Sequence, residues 1–177
     1  MNRPSRRLTV SAAVLVPVFL TGLVVAIAVV TTQGGRADAG PISVGQPFSL
    51  ASVVDGGAPA TLTAVPGRPT LVAFFAAWCD PCRAELPLVE AASHRAGAPA
   101  VIGVDVLDQR PDATALLRHA GVTFPSGFDH DGTVSQRWGV VGLPVTVLVG
   151  RDGRIVAYHR GQLRQPQLDA LLRRVSG

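Results

Sequence analysis

The chain contains two cysteines among 177 residues, and they stand two residues apart, Cys79 and Cys82, in the stretch FFAAWCDPCRAELP at 74–87. A C-x-x-C pair can close a small disulfide, contribute half of a metal site, anchor haem, or cycle between dithiol and disulfide. A structural staple gains little from closing so short a loop, and no third cysteine exists to close a longer one. Zinc needs two more ligands, and His94, His119, His130 and His159 offer no H-x₃₋₅-H pair, so no metal is expected. Covalent haem needs His directly after the second cysteine, where Arg83 stands. Thiol–disulfide redox chemistry is the reading that fits, with the Cys79–Cys82 disulfide itself as the working group and no further cofactor.

The elements around the pair give the two sulfurs different roles. Thr70 to Phe75 (TLVAFF) is a short apolar, partly β-branched run that suits a buried strand. The segment from Cys82 to about Arg95 reads as a helix with Leu86, Val89 and Ser93 along one face, ended by Gly97 and kinked by Pro87. Cys79 therefore stands at a helix N-terminus. Free N–H groups and the positive end of the helix dipole stabilise a thiolate there and lower its pKa. Thiolate is the attacking species, so Cys79 is the expected nucleophile and Cys82, one turn deeper, the resolving thiol. Pro81 stiffens the turn between them. Asp80, a negative charge beside the nucleophile, opposes thiolate formation and partly cancels the helix effect.

Further along, Ala100 to Leu107 (AVIGVDVL) reads as a second buried strand, and RPDATALLRHAG as a helix with Pro111 in its first turn and Gly121 as its stop. PVTVLVGRDGRIVAYHR reads as a hairpin turning at Asp152-Gly153. Pro166 opens a last amphipathic helix carrying Leu168, Leu171, Leu172 and Val175. This order implies an α/β fold, a central mixed sheet with helices on both faces. The four histidines read as surface or loop residues, and Glu90, Asp105 and Asp108 as solvated acids.

The N-terminus reads differently. No charge occurs between Leu8 and Gly35, and Leu8 to Val30 is almost unbroken apolar sequence. As a helix it would reach ~34 Å, enough for a ~30 Å hydrocarbon core. Arg3, Arg6 and Arg7 precede it and only Arg36 follows closely, which places the N-terminus in the cytoplasm and the remainder outside. The expected organisation is a cytoplasmic N-terminus and transmembrane anchor at 1–30, a small, polar, Gly-rich linker at 31–43, and one domain at 44–177. A cleaved signal peptide is the alternative, given Ala37-Asp38-Ala39. The net charge of +4 does not indicate nucleic acid, because dropping residues 1–40 leaves 12 Arg against 11 acids with no basic stripe.

LVAFFAAWCDPCRAELP resembles the thioredoxin superfamily, and within it the membrane-anchored TlpA/ResA-like thiol-disulfide oxidoreductases of the cytochrome c maturation type. VGQPFSL at 44–50 is similar to that family's entry strand, WGVVGLPVTVLVGRDGRIV at 138–156 to its proline loop and hairpin, and HRGQL to its closing turn. Residues 108–133 correspond to its extra helical insert. The resemblance implies a thioredoxin-like fold and a cis Leu143–Pro144 bond facing the cysteines. It implies substrate binding by Trp78, Leu143 and Pro144, with Asp80 and Pro81 modulating the pair. Ala73 stands where thioredoxin carries a buried proton-moving Asp, and Glu85, one turn after Cys82, fits the family's alternative acid, able to accept the Cys82 proton if buried.

The resemblance further implies reduction of disulfides in exported proteins, apocytochrome c among them, with recharging by a membrane thiol electron carrier. Lipid would be met through the N-terminal helix, and nucleic acid is not an expected partner. The alternatives are a disulfide-forming oxidant on the same fold and a non-catalytic peptide-binding module. A redoxin-like peroxidase is disfavoured, since Ala76 stands where that chemistry needs Thr or Ser.

Overall fold

The computed structural model describes residues 45–63 and 66–175. The anticipated anchor and linker, and the division of the chain at 30 and 43, lie outside the described residues. Among the described residues no helix is long and apolar enough to cross a membrane.

The described residues form seven strands and four helices, in the order β1 (Phe48–Leu50), β2 (Ala60–Leu62), β3 (Thr70–Phe75), α1 (Asp80–Ser93), β4 (Ala100–Val106), α2 (Arg110–His119), β5 (Ser126–Asp129), α3 (Thr133–Arg137), β6 (Val145–Val149), β7 (Ile155–Arg160) and α4 (Gln165–Arg173). Five strands form the central sheet in the order β5-β4-β3-β6-β7, and β1 and β2 make a separate antiparallel pair. β3, β4 and β5 run parallel, whereas β6 is antiparallel to β3 and to β7. The sheet is mixed, as the strand and helix order implies, and the fold is thioredoxin-like.

Side chains of β3 alternate between two cores, as strand geometry requires. Leu71, Ala73 and Phe75 face Leu86 and Val89 of α1, Leu116 and Leu117 of α2, and Leu168 and Leu171 of α4. Val72 and Phe74 face the opposite way, onto Phe48, Leu62, Val134 and Trp138. Three helices therefore cover one face, and the β1–β2 pair with the single turn of α3 covers the other. Trp138 is fully buried there, its ring 6.0 Å from Phe48 and 5.7 Å from Phe74, its Nε1–H donating to the Gln46 carbonyl at 3.1 Å.

The segment 108–133, expected as a helical insert, supplies α2 and also the edge strand β5. Gly127 in β5 permits the β1–β2 pair to close on that edge, since a Cβ there would lie 2.5 Å from Leu50 Cβ and 2.8 Å from Ala60 Cβ. The expected entry strand at 44–50 is shorter than its motif, only Phe48–Leu50 pairing with β2.

Candidate redox site

β3 delivers the chain to the first residues of α1 through four residues. Cys79 N–H donates to the Ala76 carbonyl at 3.2 Å, which turns the chain, and Cys79 caps the helix with extended backbone (φ −97°, ψ 99°). The helix begins at Asp80, two residues earlier than its apolar periodicity shows, because Pro81 at the first turn needs no N–H partner. Cys79 and Cys82 are joined as a disulfide with their Cα atoms 5.3 Å apart.

The two sulfurs are not equivalent. Cys79 is 5 % exposed and Cys82 is wholly buried. Cys82 N–H donates to the Cys79 carbonyl at 3.0 Å and also points at Cys79 Sγ from 3.3 Å. A thiolate formed at Cys79 thus meets a helix N–H already in place. The Asp80 carboxylate is almost entirely in solvent and 4.0 Å from Arg83 Nε, so water and that cation screen it from the sulfur. Arg83 Nε–H also donates to the Ala77 carbonyl at 2.7 Å, tying α1 to the loop.

Trp78 is 60 % exposed and its Nε1–H donates to the Leu107 carbonyl at 3.3 Å. The indole stands at the head of an open groove of about 1130 Å³ between α1 and α2, which also takes in Pro87, Leu116 and His119.

The Leu143–Pro144 peptide is cis. β6 pairs Val145 with Phe74, so one further step of that register sets Pro144 opposite Phe75, where the chain leaves β3 for the cysteines. Pro144 shares strand parity with Thr146 and Leu148, which face α1. The proline loop is held from β7: Gly161 N–H donates to the Pro144 carbonyl at 2.9 Å, and Tyr158 O–H to the Gly139 carbonyl at 3.1 Å.

Glu85 lies one turn beyond Cys82 on the inner side of α1 and is 2 % exposed. Leu163 N–H donates to its Oε2 at 2.7 Å and Thr146 Oγ1–H to its Oε1 at 3.2 Å. Burial pushes its pKa up from 4.5 to about 7, against the two hydrogen bonds, which favour the anion. The fold thus brings Cys79, Cys82, Glu85, Trp78 and the cis proline to one end of the sheet.

Three acids expected to be solvated are buried instead. Glu90 accepts from Thr123 N–H at 2.9 Å and Thr123 Oγ1–H at 2.6 Å, and its Oε1 is 2.6 Å from His94 Nε2. Burial alone would raise its pKa, but Thr123 and His94 together hold it below the ordinary carboxylate value. Asp108 accepts from Ala77 N–H, at the root of the redox loop, and from Gln109 N–H at 2.7 Å. Asp105 is fully buried on β4. Its signal was in the sequence: in AVIGVDVL, position 105 shares parity with Val101, the side that packs under α1. His159 also departs from expectation, lying on β7 with an inaccessible Nε2, whereas His94, His119 and His130 are exposed. No cluster of three or more His, Cys, Asp or Glu side chains able to hold a metal occurs among the described residues.

The Redoxin family model matches residues 43–172. The thiol:disulfide interchange protein CycY of Rhizobium leguminosarum bv. viciae is 36 % identical over 97 residues, covering 54 % of this chain and 52 % of the relative. A thiol:disulfide interchange protein DsbE homolog of Paracoccus denitrificans is 39 % identical over 94 residues, covering 52 % and 51 %. The chain spans about half the length of these curated relatives. The solved structure of MTB dsbF in mixed oxidized and reduced forms superposes with a TM-score of 0.66 at 26 % identity, over 73 % of this chain and 95 % of that one. A match running from residue 43, before β1, to residue 172 in α4 takes in the cysteine pair, the cis proline and Glu85 together, and by it this chain belongs to the Redoxin family.

Proposed function

We propose that this chain is an extracytoplasmic thiol-disulfide oxidoreductase that reduces disulfides in exported proteins, apocytochrome c among them, and is recharged by a membrane thiol carrier. The observation that carries the reading is the asymmetry of the pair: Cys79 at the rim with an N–H on its sulfur, Cys82 sealed beneath it, and buried Glu85 one turn on. In the reaction, Cys79 thiolate attacks a client disulfide and expels one client thiolate, forming a mixed disulfide. Glu85 takes the Cys82 proton, Cys82 attacks Cys79 Sγ, and the second client thiolate leaves. Two electrons pass to the client and the chain is left as the disulfide. Leu143 and Pro144 offer backbone, and Trp78 an apolar face, to the client segment beside its cysteine.

What surrounds the sulfurs supports this direction. A strong oxidant stabilises its reduced, thiolate form. Here the residues between the cysteines are Asp80 and Pro81, neither of them a cation, and a buried acid, Glu85, lies one turn beyond Cys82, so what favours the Cys79 thiolate is the helix N–H at its sulfur. The uncharged run from Leu8 to Val30 with Arg3, Arg6 and Arg7 before it supports tethering, catalytic domain outward. The test is the reduction potential of the Cys79–Cys82 couple in the full chain, equilibrated against glutathione or dithiothreitol. A value at or below about −250 mV is expected, and one between about −120 and −180 mV would make the chain an oxidant of exported proteins instead.

A further inference from the structure

Asp105 is fully buried, and among the described residues no N–H or O–H group donates to either of its carboxylate oxygens. Its register position opposite Phe75 turns it toward the face covered by α1 and α2, where it meets the carboxyl of Asp108. Asp108 is in the opposite condition, with one oxygen accepting from Ala77 N–H and the other from Gln109 N–H. Contact between two carboxyls becomes a hydrogen bond only when one of them carries a proton, and two ionised groups side by side in low dielectric repel strongly. Both Asp108 oxygens already accept backbone N–H groups and neither Asp105 oxygen does, so the shared proton resides on Asp105, which donates to Asp108.

The other charges around the pair are accounted for. Asp129 on β5 is fully engaged by Val134 and Ser135 N–H at 3.0 and 2.8 Å and adds to the negative field. Arg110 on α2 offsets part of it, its guanidinium lying 4.4 Å over the Phe128 ring and donating to the Ser52 and Val53 carbonyls. On α1 the side chains nearest the loop are Asp80, in solvent, and Arg83, on the Ala77 carbonyl.

We propose that Asp105 is a positioning residue for the redox loop: its proton holds the Asp108 carboxylate against Ala77 N–H, two residues before Cys79, and loss of that proton loosens the loop. Burial, with the Asp108 charge next, pushes Asp105 up from 3.8 to about 8. The clamp is therefore intact at neutral pH and opens in the range where thiol exchange otherwise accelerates. The inference rests on Cys79–Cys82 being an exchanging couple and is independent of the direction of electron flow.

The test is the rate at which dithiothreitol reduces the disulfide of the full chain, divided by the dithiothreitol thiolate fraction, from about pH 6 to about pH 9.5. It is run in a Glu85→Gln background, which removes the other raised carboxyl. A fall of about 3-fold centred near pH 8 is expected, absent when Asp105→Asn is added, because the amide still donates to Asp108 but cannot ionise. Asp105→Leu, with no donor, should be slow by the same factor at every pH. A fall that survives Asp105→Asn, or no fall in the Glu85→Gln protein, overturns the proposal. Should the Asp105 variants not fold, the Glu85→Gln protein alone decides: its infrared spectrum must show a carboxylic-acid carbonyl at neutral pH that disappears near pH 8, and its absence refutes the pair. A folded chain whose disulfide dithiothreitol cannot reduce at any pH would instead defeat the thiol-exchange reading, and this inference with it.

Discussion

Leu163 N–H donates to Glu85 Oε2 across 2.7 Å, fastening the loop before α4 to the helix that carries both cysteines. The bond fixes the carboxyl on the side of α1 that Cys82 also faces, so Glu85 is oriented by a residue 78 positions away in sequence. A group with pKa about 7 is half ionised near neutral pH, which suits a base that must take a thiol proton and later return it.

Glu85→Gln keeps the shape and an acceptor for Leu163 but removes the proposed base. Resolution of a preformed mixed disulfide at Cys79 should slow by about 10²-fold at pH 7, and the inflection near pH 7 in its rate should vanish. Formation of the mixed disulfide, which needs only Cys79, should change far less. Stopped-flow release of a chromogenic thiol separates the two steps. Equal slowing of both would remove Glu85 from the resolving step.

The same residue makes stability fall with pH. In the unfolded chain Glu85 ionises near 4.5, whereas in the folded chain it keeps its proton until about 7. The folded state binds more protons between those values, so the stabilisation is complete below 4.5 and is lost as pH rises through 7. It amounts to roughly 3 kcal/mol. Asp105 acts in the same sense up to about 8. Urea midpoints of wild type should therefore fall from pH 5 to 8, and Glu85→Gln should recover about 3 kcal/mol of that loss at the alkaline end.

The sequence carries the sheet, the helices and the cysteine chemistry because each rests on local signals. TLVAFF and the Asp152-Gly153 turn fold where their patterns place them, and the cysteine helix forms as expected but starts at Asp80, two residues ahead of its expected start at Cys82. β5 escapes such reading because SGFD has neither alternation nor β-branched residues, and becomes a strand only by pairing with β4. The buried acids escape for a related reason. Polarity suggests solvent for Glu90, Asp105 and Asp108, and only tertiary contacts reveal that Thr123, Ala77 and Gln109 supply donors to two of them and that Asp105 meets another carboxyl.

Exposure separates the roles of the cysteines in a way gels can read. Cys82→Ser should leave Cys79 able to attack but unable to release, so clients accumulate as mixed disulfides on non-reducing gels. Cys79→Ser should yield none, because wholly buried Cys82 cannot reach a folded or extended client. Adducts on Cys79→Ser, or their absence on Cys82→Ser, would reverse the assignment.

Two tryptophans of the described chain test the division between binding surface and core. Trp138 is sealed between Phe48 and Phe74 with its Nε1–H satisfied, so Trp138→Ala should cost about 3–5 kcal/mol of unfolding free energy. Trp78 loses only an exposed ring and one hydrogen bond to Leu107, so Trp78→Ala should cost less than about 1 kcal/mol. Its effect should appear with a protein client, where loss of the apolar face beside Cys79 raises KM several-fold while the folded fraction stays complete. If Trp78→Ala leaves client KM unchanged, the client segment does not cross the indole, and Leu143 and Pro144 must carry its binding alone.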